Sequence, residues 1–96
     1  MENFATYDLP CYDGRQSFYG KARIIETTEG KTLQSYNTCI CTIGNDGKLT
    51  KLDPVVTNTT RRHIRSFLRF CNFPAISNRD WDKLPLHEKV GREAVA

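Results

Sequence analysis

Ninety-six residues with a net charge of +3 make one domain around one modest core. A chain this short buries only about 60–70% of the surface its unfolded form exposes, which leaves little room for a deep, dry active site. Hydrophobic residues at 39% and charged residues at 26% are ordinary for a globular chain, and no apolar run approaches the ~20 residues of a membrane span. The mild basicity permits a polyanionic partner without demanding one.

In chain order, residues 1–16 of the single domain 1–96 read as an irregular lead-in, with a short edge strand around residues 4–7. They lack the basic start and apolar stretch of a signal peptide, so the expectation is a cytoplasmic protein. Residues 17–27 (SFYGKARIIET) have strand composition, with Phe18, Ala22 and Ile24 on one face and Tyr19, Lys21, Arg23 and Ile25 on the other. A turn follows over residues 28–31, where Gly30 can take a positive φ. Residues 32–44 (TLQSYNTCICTIG) give the strongest strand signal. One face carries Leu33, Ser35, Asn37, Cys39, Cys41 and Ile43, and the other Thr32, Gln34, Tyr36, Thr38, Ile40 and Thr42. Asn45-Asp46-Gly47 is a hairpin turn, and residues 48–52 (KLTKL) form a lysine-bearing edge strand.

The period then changes. Asp53-Pro54 ends the strand, and residues 57–60 offer successive N-cap threonines and an asparagine. From Arg61 the apolar residues Ile64, Phe67, Leu68 and Cys71 fall at the i, i+3, i+4, i+7 spacing of a helix with one buried stripe. Asn72-Phe73-Pro74 stops it. Ser77 to Asp80 cap a second short helix through Trp81 and Leu84, and Trp81 is placed to seal the open end of the core. The tail, residues 86–96, is polar and expected to fray. The predicted fold is α+β: an antiparallel meander of three or four strands packed by one main helix, with a short C-terminal helix.

Little in the chain points to catalysis. Two histidines, His63 and His87, and scattered carboxylates form no D-x-D, H-E-x-x-H, G-x-S-x-G or glycine-rich phosphate loop, so no enzymatic activity is predicted. Cys11, Cys39, Cys41 and Cys71 stay mostly reduced in the cytoplasm. Cys39 and Cys41 share a strand face but lack the paired knuckles of a zinc site, and the four read as small apolar packing residues with no metal or cofactor.

The arginines are more informative. On a helical wheel Arg61, Arg62, Arg65 and Arg69 share one arc of about 100° beside the apolar stripe, with no carboxylate at i±4. Arg61 and Arg62 sit in the first turn, where the helix dipole disfavours cations but Thr59, Thr60 and the free N–H groups suit an anion. Three readings stand together: a solvated or internally paired face, a site for a nucleotide or other anion, or a contact for a protein partner's acidic surface. Tyr36 and Tyr19 come from strands that can flank this helix, and aromatics beside cations can stack on bases. Thr59, Thr60, Arg61, Arg62, His63, Arg65, Arg69, Tyr36, Lys21 and Arg23 are the candidate binding residues.

SFYGKA (residues 17–22), LQSYNTCICTI (33–43) and TNTTRRHIRSFL (57–68), in that order, resemble a family of small, mostly uncharacterised bacteriophage and prophage proteins, chiefly of Firmicutes. Thr57 stands where that family has serine, and DPVV precedes it where W-x-x-Y is common. The resemblance covers most of the chain. It implies that Ser35, Tyr36, Thr38, Thr59, Thr60, Arg62, His63 and Phe67 carry the shared role, with Ser35-Tyr36 and residues 59–63 at a surface or packing corner. It also implies a setting in which proteins of this size inhibit host defence. The expected function is therefore a counter-defence inhibitor, like an anti-CRISPR protein that binds an effector through a basic helix. The alternatives are a sponge for a cyclic-nucleotide immune signal and a nucleic-acid-binding module. The partner is thus a host defence protein or its nucleotide or nucleic-acid ligand, with no membrane involved and a homodimer through the 48–52 strand possible.

Overall fold

A computed structural model describes residues 3–10, 21–54 and 57–94. Six strands form one antiparallel sheet in which each strand neighbours its successor: β1 (Asn3–Asp8), β2 (Ala22–Thr27), β3 (Gly30–Ser35), β4 (Thr38–Gly44), β5 (Leu49–Lys51) and β6 (Lys89–Val90). Between β5 and β6 the chain builds α1 (Asn58–Phe70) and α2 (Asn78–Lys83), and a 3-10 turn at Arg92–Ala94 follows β6. The α+β meander is as expected, but six strands replace three or four. Phe18, Tyr19, Cys11 and the start of the expected 17–27 strand lie outside the described residues.

Two of the extra strands arise where the sequence read as simpler. The single strand expected over 32–44 is a hairpin: Ser35 pairs with Thr38, and Tyr36-Asn37 makes a two-residue turn. Tyr36 takes φ 56°, a left-handed conformation unusual for a bulky side chain, so no glycine or proline announces the turn. The tail expected to fray instead contributes β6, which pairs Leu49 with Val90 and Thr50 with Lys89. That pairing covers the 48–52 segment, which is an interior strand and not the free edge proposed for a dimer.

A bulge explains a further correction. Leu33 faces Cys41 while Gln34 faces Cys39, which leaves Ile40 as an extra residue on β4. The slip separates the two thiols: Cys41 is buried and Cys39 exposed, so they do not share a face. Burial raises the Cys41 thiol well above its usual range and pushes Cys71 up to about 11. Gly30 sits where β3 approaches β4 closely, because a Cβ there would collide with the Ile43 carbonyl oxygen.

The core joins Ala22, Ile24, Leu33, Cys41, Ile43 and Leu49 from the sheet to Ile64, Phe67 and Leu68 of α1 and to Phe73, Ile76 and Trp81 beyond it. Burying a side chain such as Phe67 fully contributes roughly 1.5–3 kcal/mol. Thr57 is the N-cap of α1, its hydroxyl accepting from the Thr60 N–H at 3.1 Å. The other end closes as a Schellman motif. Asn72 takes φ 58°, Phe73 N–H reaches the Leu68 carbonyl at 2.8 Å, and the two apolar side chains are both buried. Trp81 seals the core as expected, and the buried Lys51 anchors it, its Nζ donating to the Trp81 carbonyl at 2.9 Å. No helix among the described residues is long and apolar enough to cross a membrane.

Candidate functional site

Helix α1 is buried over more than half of its circumference. Thr60, His63, Ile64, Ser66, Phe67 and Leu68 are all buried, an arc of roughly 200° at 3.6 residues per turn. The apolar stripe is thus widened on one flank by polar residues. Ser35 Oγ at the end of β3 lies 2.8 Å from His63 Nδ1 and 3.4 Å from Thr60 Oγ1. Thr57 Oγ1 donates to Thr60 Oγ1 at 3.1 Å, so the cap and the corner form one chain of hydroxyls. These contacts fasten the first half of α1 to the β3–β4 hairpin.

His63 is fully buried, which removes it and the buried Thr60 as direct ligand contacts. At 100° per residue His63 falls outside the stripe of Ile64, Phe67, Leu68 and Cys71. The sheet reaches it because Ser35 offers a hydrogen-bonding partner at the helix's polar flank. Burial, with the charges of Arg62 and Lys21 nearby, pushes the imidazole down to about 4, so it is neutral at pH 7. Ser35-Tyr36 and residues 59–63 do meet, and they meet as a packing corner.

The remaining arc carries the arginines. Arg61 is half-buried and held: its Nη2 donates to both carboxylate oxygens of Asp82 at 3.1 Å, and its Nη1 to the Asn78 carbonyl at 3.4 Å. Arg62 is half-buried, while Arg65 and Arg69 are exposed. Arg65 makes no ion pair among the described residues. Asn58, Thr59, Arg61, Arg62, Arg65 and Asn78 line a shallow cleft of about 370 Å³, and no carboxylate lines it. The missed members are the two asparagines and the orienting Asp82. The capping pattern at residues 77–80 marked the start of α2 but not its place beside α1, and nothing in sequence paired Asp82 with Arg61.

Tyr36 and Lys21 stand at the His63 corner and do not line the cleft. The Tyr36 N–H donates to the Lys21 carbonyl at 2.7 Å, and the Tyr36 ring lies 6.1 Å from the His63 ring. Tyr36 remains 53% exposed, more than any other large apolar side chain among the described residues. Arg23 is not part of the group. It alternates with the buried Ala22 and Ile24 and so stands on the sheet face turned away from α1.

That other face has a larger groove of about 560 Å³ whose rim includes Glu29, Asp46, Lys48 and Lys89. Its charges are mixed and Lys89 pairs with Asp46 at 3.3 Å, so it selects no ligand by charge. The arginine cleft carries one sign only. No group of three or more His, Cys, Asp or Glu side chains among the described residues is arranged to hold a metal ion.

A model described as a family of unknown function, DUF8033, matches residues 8–83, and the chain belongs to that family. No curated protein and no solved structure matches it.

Proposed function

We propose that this protein works by binding, holding an anionic partner on the solvent face of α1 without transforming it. The observation that carries the reading is the cleft of Asn58, Thr59, Arg61, Arg62, Arg65 and Asn78, three guanidinium groups with no carboxylate on the lining. Arginine's planar fork suits phosphate and carboxylate oxygens. The Asp82 carboxylate orients Arg61 and leaves Arg65 outward. A role without chemistry is supported by the burial of Ser35 and His63, a hydroxyl–imidazole pair that no substrate can reach. The raised Cys41 and Cys71 thiols are likewise poor nucleophiles at neutral pH.

The resemblance to phage proteins supplies the setting: a cytoplasmic counter-defence inhibitor that occupies, or competes with, a nucleic-acid-binding effector of the host, as an anti-CRISPR protein does. A ligand sponge is the second reading, and the exposed Tyr36 at the His63 corner, one residue along α1 from Arg62, favours it. Inorganic tripolyphosphate should raise the melting temperature by mass action, and Arg65→Glu should abolish the shift with the fold intact. A melting temperature indifferent to tripolyphosphate overturns the anion-binding reading. Capture of a host nuclease by the wild type, lost in Arg65→Glu, supports the effector form; equal capture by both proteins contradicts it.

A further inference from the structure

Tyr36 is costly where it stands. A left-handed φ of 56° is disfavoured for an aromatic residue, and the next position holds Asn37, a residue type that tolerates that conformation better. The ring is also left half in solvent, so burial does not offset the strain. Strain kept at an exposed residue points to a use for the side chain. The backbone bond to Lys21 fixes the turn, and the Ser35–His63–Thr60 contacts fix the hairpin to α1, so the ring has a set position relative to the arginines. His63, against which the ring leans, follows Arg62 in the chain, and Arg62 lines the cationic cleft. The ring thus stands at the His63 corner of α1, one residue along the chain from an arginine of the cleft.

From this geometry we infer that the anion held at the α1 cleft is the phosphate of a nucleotide unit whose base stacks on Tyr36. The inference rests on the proposed anion-binding role and names its ligand class. Stacking on an aromatic ring tolerates any base, because every base has a π-face, while the guanidinium groups hold the phosphate. The unit can come from a free or cyclic nucleotide or from single-stranded nucleic acid, since both present a base beside a phosphate.

The test compares three probes on the full chain at low ionic strength: a short oligothymidylate, ATP and inorganic tripolyphosphate. The nucleotide probes should bind roughly tenfold or more tightly than tripolyphosphate. Tyr36→Ala should erase that excess and leave tripolyphosphate unaffected, Tyr36→Phe should keep it, and Arg65→Glu should weaken all three. Tyr36 ring protons should shift upfield in the NMR spectrum as a base stacks over them. Tighter binding of the oligonucleotide, with a steep salt dependence, identifies single strands as the source; binding of ATP as tight or tighter identifies free nucleotides. Tripolyphosphate binding as well as ATP, or an excess that survives Tyr36→Ala, overturns the base assignment and leaves the arginine cleft standing. If no probe binds, the cleft reading fails and the base assignment falls with it.

Discussion

Along α1, the side that meets the sheet holds Thr60, His63, Ile64, Ser66, Phe67 and Leu68 out of water, while the opposite side carries all four arginines. The two sides differ in what they do for the fold. On the sheet side Thr60 and His63 are structural, because a buried hydroxyl or imidazole needs a partner and Ser35 supplies one to the Thr60 hydroxyl and to His63 Nδ1. On the solvent side an ion pair such as Arg61–Asp82, with Asp82 half exposed, contributes little. Arg65, exposed and in no ion pair among the described residues, contributes little to the fold either.

That contrast predicts a graded set of outcomes. Phe67→Ala, which empties the centre of the core, should cost about 3–5 kcal/mol in a denaturant melt and leave little folded protein at room temperature. A loss under about 1 kcal/mol would mean that α1 is not seated on the sheet as described.

Acid should act through His63. Its folded pKa, near 4, lies below the 6.5 of the unfolded chain, so the folded state resists protonation. The stability it contributes is whole above pH 6.5 and is lost as the pH falls from there through 4. The gap corresponds to a free energy on the order of 3 kcal/mol. In urea melts at a series of pH values, His63→Gln should flatten this part of the acid slope; an unchanged slope would place the loss elsewhere.

Smaller effects are expected outside the core. Arg61→Ala should cost about 1 kcal/mol or less, since the pair it breaks is partly solvated. Tyr36→Asn should leave the melting temperature level or slightly raised, within about 1 kcal/mol, because it relaxes the left-handed turn. Marked destabilisation by that change would show that the ring is a packing residue after all. Arg65→Glu should shift stability by no more than about 0.5 kcal/mol while removing anion binding. It would then be the variant with the smallest effect on the fold and the largest on the proposed role.

The sequence was most legible where period and capping chemistry agreed. Ile64, Phe67 and Leu68 read as core, Thr57 fell among the caps, Asn72 stopped the helix, and Trp81 closed the core; the structure repeats each. The misses share a physical origin, because they depend on long-range pairing. The turn at Tyr36-Asn37 uses a residue whose local preference is for strand, and it is fixed by Ser35 pairing with Thr38 and by the bond to the Lys21 carbonyl. The Ile40 bulge shows no local mark, so alternation carried the Cys39 and Cys41 thiols to one face in error. Residues 89–90 form a strand only because β5 offers an edge. At the candidate site, the arginine arc was readable from the wheel, but Asp82, Asn78 and the burial of His63 required the docking of α1 against the hairpin and α2.

The central claim is that the arginine face of α1 is the binding surface, and arginine side-chain NMR on the intact protein tests it most directly. On titration with tripolyphosphate, the Nε–H signals of Arg62 and Arg65 and the backbone amides of Asn58 and Thr59 should move together and saturate. Signals that stay in place there, or that move instead around Thr32, Thr42 and Thr50 on the opposite face of the sheet, would contradict it.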